Sequence, residues 1–298
     1  MADDTADIMV FMSYSYRPRR AYRMTREEKT IAIAGAGSIG CYAGGCLALA
    51  GRKMVLLARP RIEDALRKDG LRVSDLDGRD RHIAPEALTV TADPVAAMSG
   101  ADIVLVTVKS GATEDMAALI AAHAHPDAMV VSLRNGVSNA DRLRAGLAGR
   151  RVFAGMVPFN VVQSPGGELP FRVHRASEGK VMIEEGAAGL VDLLNVDGFA
   201  VTTHGDMKAV QWGKLLMNLN NALVALSGLP LATELSDRRW RLILAGQIEE
   251  AFRHRAGTDR RLAPGTAAEG AAPARLAVQG PGAAHACDRP GRALVDVG

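Results

Sequence analysis

The chain has 298 residues, 48% of them hydrophobic and 23% charged, and a formal net charge of +3. This is the composition of an ordinary soluble globular protein, long enough for two domains. The scattered basic residues and short apolar runs make no case for a nucleic-acid binder or a membrane protein. Aromatic residues make up only 4%, so Ala, Leu and Val must build the core. Cys41, Cys46 and Cys287 form no disulfide or metal framework, which suits a reducing cytosol and predicts a cytoplasmic protein.

In chain order, Met1–Arg23 has no apolar stretch of signal-peptide length and is expected to be a disordered extension, with Met24 an alternative start. Thr30–Ala34 reads as a short buried strand, followed by a glycine-rich turn and a helix through Ala50. Lys53–Leu57 is the next apolar run, Arg61–Lys68 is expected to be helical, and Leu71–Val90 to form short strands and turns. The β-branched run Ile103–Val108 suits a parallel strand buried on both faces. Thr113–His123 reads as helix and Ala128–Leu133 as strand; Val152–Ile183 is β-rich and Ala187–Asn195 helical. Gly205–Ser227 then reads as one long helix, and about Glu234–His254 as another.

Alternating strands and helices predict an α/β fold: a doubly wound parallel sheet of Rossmann type, then a smaller all-helical domain. The expected divisions are a nucleotide-binding domain over residues 24–204, a helical substrate domain over 205–257 and a tail over 258–298.

Gly35, Ala36, Gly37, Ser38, Ile39 and Gly40 spell GxGxxG between a strand and a helix, with a second strand about twenty residues on. In that context the motif predicts a dinucleotide. Gly35 allows the tight turn, Gly37 the approach of a pyrophosphate, and Gly40 close packing of helix on strand. The anion would sit at the helix N-terminus. An NAD site usually ends its second strand in Asp or Glu. This chain has Arg59 there, followed by Pro60 and Arg61, with the first acid at Glu63. A guanidinium pairs a 2′-phosphate that a carboxylate would repel, so NADP is the expected cofactor and Arg59 its ligand.

Lys109 and Asn135 follow two further strands, at the sheet edge where such folds bind ligands. Trp212–Leu223 carries Lys214, Asn218 and Asn221. At 100° per residue, the two amides fall about 40° and about 20° to either side of the lysine. Such a polar stripe on an apolar helix suits a cavity wall, because burying each group unpaired costs roughly 1–3 kcal/mol. An internal hydrogen-bond network is the alternative. None of the seven histidines has metal-ligand spacing, so no metal site is expected and the histidines are read as structural or solvated.

With these motifs on the page, the chain resembles the ketopantoate reductases (2-dehydropantoate 2-reductases) over about residues 30–257. GAGSIG at Gly35–Gly40, VKS at Val108–Ser110, RNGV at Arg134–Val137 and WGKLLMNLNNAL at Trp212–Leu223 are similar to its successive motifs. GMVPFNVV at Gly155–Val162 resembles one branch's version of a cofactor-side strand. The resemblance implies that Lys214 is the proton donor and Asn218 a substrate ligand. It also implies that Lys109, Asn135 and Asn160 contact cofactor or substrate. Many members set the second asparagine one residue beyond Asn221, where this chain has Ala222.

The implied reaction is NADPH-dependent reduction of 2-dehydropantoate to (R)-pantoate, a step towards pantothenate and coenzyme A. Reduction of another branched 2-oxo acid is the alternative. The only expected partner is the small 2-oxo acid, and a homodimer is left open.

From Gly257 the text is rich in Gly, Pro, Ala and Arg and keeps no apolar period, the composition of a disordered segment. The family continues instead with helices carrying a serine and a glutamate. A one-base shift of GC-rich codons near the C-terminus yields text like the family's. Two readings of the tail stay open, a frameshift near Gly257 and a naturally divergent disordered segment; either leaves the helical domain incomplete and catalysis impaired.

Overall fold

A computed structural model describes residues 29–164, 171–187 and 189–259. The expected extension over 1–23 and the tail beyond Asp259 lie outside the described residues. Residues 258 and 259 end a helix.

The strands are β1 (Ile31–Ala34), β2 (Met54–Leu57), β3 (Leu71–Asp75), β4 (Asp80–Ile83), β5 (Val90–Thr91) and β6 (Ile103–Val106). They continue as β7 (Met129–Ser132), β8 (Val152–Met156), β9 (Val161–Ser164), β10 (Arg172–Arg175), β11 (Val181–Glu184) and β12 (Val201–His204). The helices are α1 (Ser38–Leu49), α2 (Pro60–Asp69), α3 (Pro94–Met98), α4 (Thr113–His123), α5 (Asn139–Gly146) and α6 (Leu190–Leu194). After them come α7 (Met207–Asn218), α8 (Asn220–Ser227), α9 (Leu231–Ser236) and α10 (Arg238–Asp259).

Among the described residues the main sheet has eight strands, in the order β5-β2-β1-β6-β7-β8-β11-β12. All neighbours pair in parallel except β8 and β11. The order reverses between β1 and β6, which makes their carboxyl ends the switch point. Side-chain alternation divides the central strands between two cores. Ile31, Ile33, Ile103, Leu105 and Val131 face one core, while Ala32, Ala34, Val104, Val106 and Val130 face the other. Both faces are covered, so these strands read as continuous apolar runs.

A second sheet, β4-β3-β10-β9, packs over α1 on the side away from β2. Gly40 to Leu47 of this helix are all buried, since both of its faces meet a sheet. A Cβ at Gly44 would lie 2.8 Å from the Met54 side chain, and one at Gly45 would meet Val73 and Leu71. Small residues here set the spacing of three layers. Asp75, buried in the second sheet, pairs with Arg79 and Arg175, and Arg79 also holds Asp197 ahead of β12.

The helical region departs from the expected pattern in two ways. The single helix Gly205–Ser227 is interrupted at Leu219, whose N–H reaches both Leu215 and Leu216. This tightened turn shifts the phase of everything after it. The helix expected over Glu234–His254 is two helices parted at Asp237, whose carboxylate accepts from the N–H of Arg239 at 2.8 Å. An aspartate that caps a new helix ends the old one.

The contacts divide the chain into compact units at Ile248. Helix α7 lies against β8 and β11 and so groups with the sheets. Of the second unit, Glu249–Gly298, only helix through Asp259 is described. No helix among the described residues is long and apolar enough to cross a membrane.

Candidate active site

The carboxyl ends of β2, β1, β6 and β7 fall level, because Ala34 pairs with both Leu57 and Val106, and Val106 with Ser132. Residues that leave these strands therefore share one rim.

At the centre of the rim, Gly35 has φ +117°, open to glycine and strained for other residues. A Cβ there would also lie 2.9 Å from the backbone nitrogen of Val108 after β6. A Cβ at Gly40 would lie 2.7 Å from the Thr107 hydroxyl and collide with the Gly35 carbonyl, whereas one at Gly37 would meet nothing within 4 Å. The first and third glycines are thus closed in by protein, and the second faces open space where a ligand can approach. Ala36 is buried, and Ser38 and Ile39 begin α1 half-buried.

Thr107, which the sequence pattern did not single out, donates its hydroxyl to the Gly35 carbonyl at 2.6 Å. Arg134 after β7 donates in turn to the Thr107 carbonyl at 3.3 Å, and burial pushes its pKa below the ordinary arginine value. Asn139, also not singled out, donates to the Asn135 carbonyl at 2.6 Å and accepts from Thr113. The Asn135 loop is therefore held from beneath by α4 and α5. Lys109 is exposed on the rim after β6.

On the β2 side, Arg59 is the N-cap of α2, with Pro60 at its first turn. Arg59, Arg61, Ile62, Ala36, Gly37 and Gln163 line a pocket of 240 Å³. Glu63, the first acid after β2, is occupied by Arg67 at 2.7 Å. The pocket's charged side chains are both cationic, which fits a phosphate.

On the β8 side, Gln211 of α7 donates to the Gly155 carbonyl at 3.5 Å. One turn on, the Lys214 Nζ donates to the Pro158 carbonyl at 2.9 Å. The helix thus carries its lysine to the carboxyl end of β8, on the same rim. Burial lowers the pKa of Lys214 from the ordinary lysine value.

Asn218 follows half-buried, but the stripe does not continue to Asn221. That residue is exposed, whereas the neighbouring Asn220 is buried, just past the tightened turn at Leu219. Asn160 is exposed, and its backbone pairs with Ser177 and Ala176. Cys41 and Cys46 are buried, and burial pushes both thiols up to about 12. Among the described residues no cluster of His, Cys, Asp and Glu is arranged to hold a metal ion.

A glycine turn at the switch point, a cationic pocket beside it and a lysine at the far end thus share one rim. The family model described as ketopantoate reductase PanE/ApbA matches residues 31–188. The chain belongs to the ketopantoate reductase family. It is 31% identical over 196 residues to the 2-dehydropantoate 2-reductase of Archaeoglobus fulgidus and 32% over 138 residues to that of Pyrococcus horikoshii. These matches take in 63% and 46% of this chain, and span 60% and 42% of the length of those relatives. A PanE/ApbA family ketopantoate reductase from Ralstonia eutropha JMP134 superposes with a TM-score of 0.67 at 33% identity, over 77% of this chain and 75% of that one.

Proposed function

We propose that this ketopantoate reductase family member reduces the C2 ketone of a 2-oxo acid with NADPH. Its substrate is 2-dehydropantoate and its product (R)-pantoate, a step towards pantothenate and coenzyme A. The observation that carries this reading is the Lys214 Nζ, anchored on the Pro158 carbonyl at the rim that also bears the glycine turn.

The order along that rim suits the chemistry. Arg59 and Arg61 after β2 suit the 2′-phosphate, and the Gly35–Gly40 turn suits the pyrophosphate. Lys109 and Asn135 follow the next two strands, and Lys214 ends the series. Four strand steps of about 4.8 Å leave about 19 Å between the two ends, room for an extended dinucleotide followed by a small acid.

Bound NADPH supplies the hydride to C2. Lys214 stabilises the charge that develops on the ketone oxygen and delivers its proton, general-acid catalysis typically worth about 10²–10⁴-fold. Asn218, one turn further along α7, orients the hydroxyl and carboxylate without adding charge.

A second reading, an NADPH-binding protein of weak turnover, draws on the large apolar side chains left uncovered on α7 and α8. Met217 is 76% exposed and Leu226 83%. NADPH oxidation by the full chain, followed with 2-dehydropantoate and with other branched 2-oxo acids, tests both readings. Efficient turnover of 2-dehydropantoate supports the first. Faster turnover of another acid reassigns the substrate, and tight NADPH binding without oxidation supports the second.

A further inference from the structure

Gln163 is out of pattern for its place in the second sheet. It pairs with Val173, and Val173 pairs with Val73. This row points at α1, where both valines are fully buried. An apolar residue at the end of the row would extend that packing, yet the row closes on an amide at the edge strand β9.

The amide has a defined position. Its Oε1 accepts from the Ser38 hydroxyl at 3.3 Å, across 125 residues of sequence. Once that oxygen is held at the first residue of α1, the Nε2 donors have no hydrogen-bond partner among the described residues. They border the same pocket as Arg59 and Arg61. Two cations from the end of β2 and one fixed amide from a different sheet thus face one space. A phosphate monoester offers three acceptor oxygens to such a set.

We propose that Gln163 is a specificity-determining residue for the phosphorylated ribose. Its Nε2 donates to the anion that Arg59 and Arg61 neutralise, and Ser38 fixes its orientation. This rests on the reading that the chain takes NADPH. It adds a recognition element from outside the glycine-rich turn and the β2 terminus. A carboxylate at this position would repel the 2′-phosphate but leave an unphosphorylated ribose unaffected.

The test is calorimetric binding of 2′,5′-ADP and of 5′-AMP to the full chain and to its Gln163→Glu and Gln163→Leu variants. The glutamate should weaken 2′,5′-ADP by about tenfold or more, the scale of a lost hydrogen bond to a charged group. Both probes carry the 5′-phosphate that the glycine turn would hold, so 5′-AMP should weaken by a clearly smaller factor than 2′,5′-ADP. The leucine should weaken 2′,5′-ADP by a smaller factor and spare 5′-AMP. If thermal unfolding shows the glutamate variant to be misfolded, the leucine variant decides alone. Equal weakening of both probes, or no weakening of 2′,5′-ADP, overturns the role of Gln163. Equal affinity of the unmutated chain for both probes overturns the NADPH reading itself, a result visible before any variant is made.

Discussion

The Thr107 hydroxyl donates to the Gly35 carbonyl at 2.6 Å, joining positions 72 apart in the sequence. The bond ties the end of β6 to the turn that leaves β1. Its loss leaves a carbonyl pointing into a space that valine fills with methyl groups. Thr107→Val should therefore lower stability by about 1–2 kcal/mol and weaken NADPH binding with it. Urea unfolding and fluorescence titration check this. Unchanged affinity would mean that the turn keeps its shape without the threonine.

Lys214 should govern turnover more than binding. Lys214→Ala is expected to reduce kcat by about 10²–10⁴-fold while NADPH affinity stays within about twofold. Burial holds its pKa below the ordinary 10.5, and a proton donor must begin charged. Turnover should thus fall as pH rises through that lowered value. Between the lowered value and 10.5 the folded chain binds fewer protons than the unfolded one, so the contribution of this lysine to stability rises with pH across that window. A pH profile of kcat/KM for native and mutant chains reads the first effect. An alkaline limb preserved in the mutant would assign the proton to another group.

Arg59 should set the choice between cofactors. NADPH is expected to bind more tightly than NADH, and Arg59→Ala to remove most of the preference. Titration with each cofactor checks this, and equal affinities in the native chain would reject it.

Met217 and Leu226 lie open on α7 and α8, with Leu242 and Ile243 open on α10. Large uncovered apolar groups promote association. The double substitution Met217→Glu and Leu226→Glu should reduce concentration-dependent self-association in sedimentation runs and leave the melting temperature nearly unchanged. A marked fall in melting temperature would show that these side chains are packed in solution.

Much of the Rossmann-type half was legible in the sequence because its signals are local. The β-branched run after Asp102 marks β6, and α4 spans Thr113–His123 as the text indicates. The cap that starts α10 at Asp237 is as local, yet the helical pattern runs on through it and hides the break. The break at Leu219 comes from a tightened turn, and no residue spacing announces it, so the exposure of Asn221 and the burial of Asn220 were not legible. Thr107, Asn139 and Gln163 escaped notice for another reason. Their roles depend on partners that only the folded chain brings near, in the case of Gln163 an α1 residue met by an edge strand of the second sheet.

Helix α1 has a bearing on how freely this protein can diverge. A helix with one solvent face accepts substitution at half its positions, but α1 meets a sheet on either side and has no such face between Gly40 and Leu47. Added volume at Gly44 presses on the main sheet and at Gly45 on the second, and either shift also moves the turn at its N-terminus. A library randomised over Gly40–Leu47 and selected only for folding should return mostly the native small and apolar types, and so preserve the glycine turn ahead of it without any selection for binding.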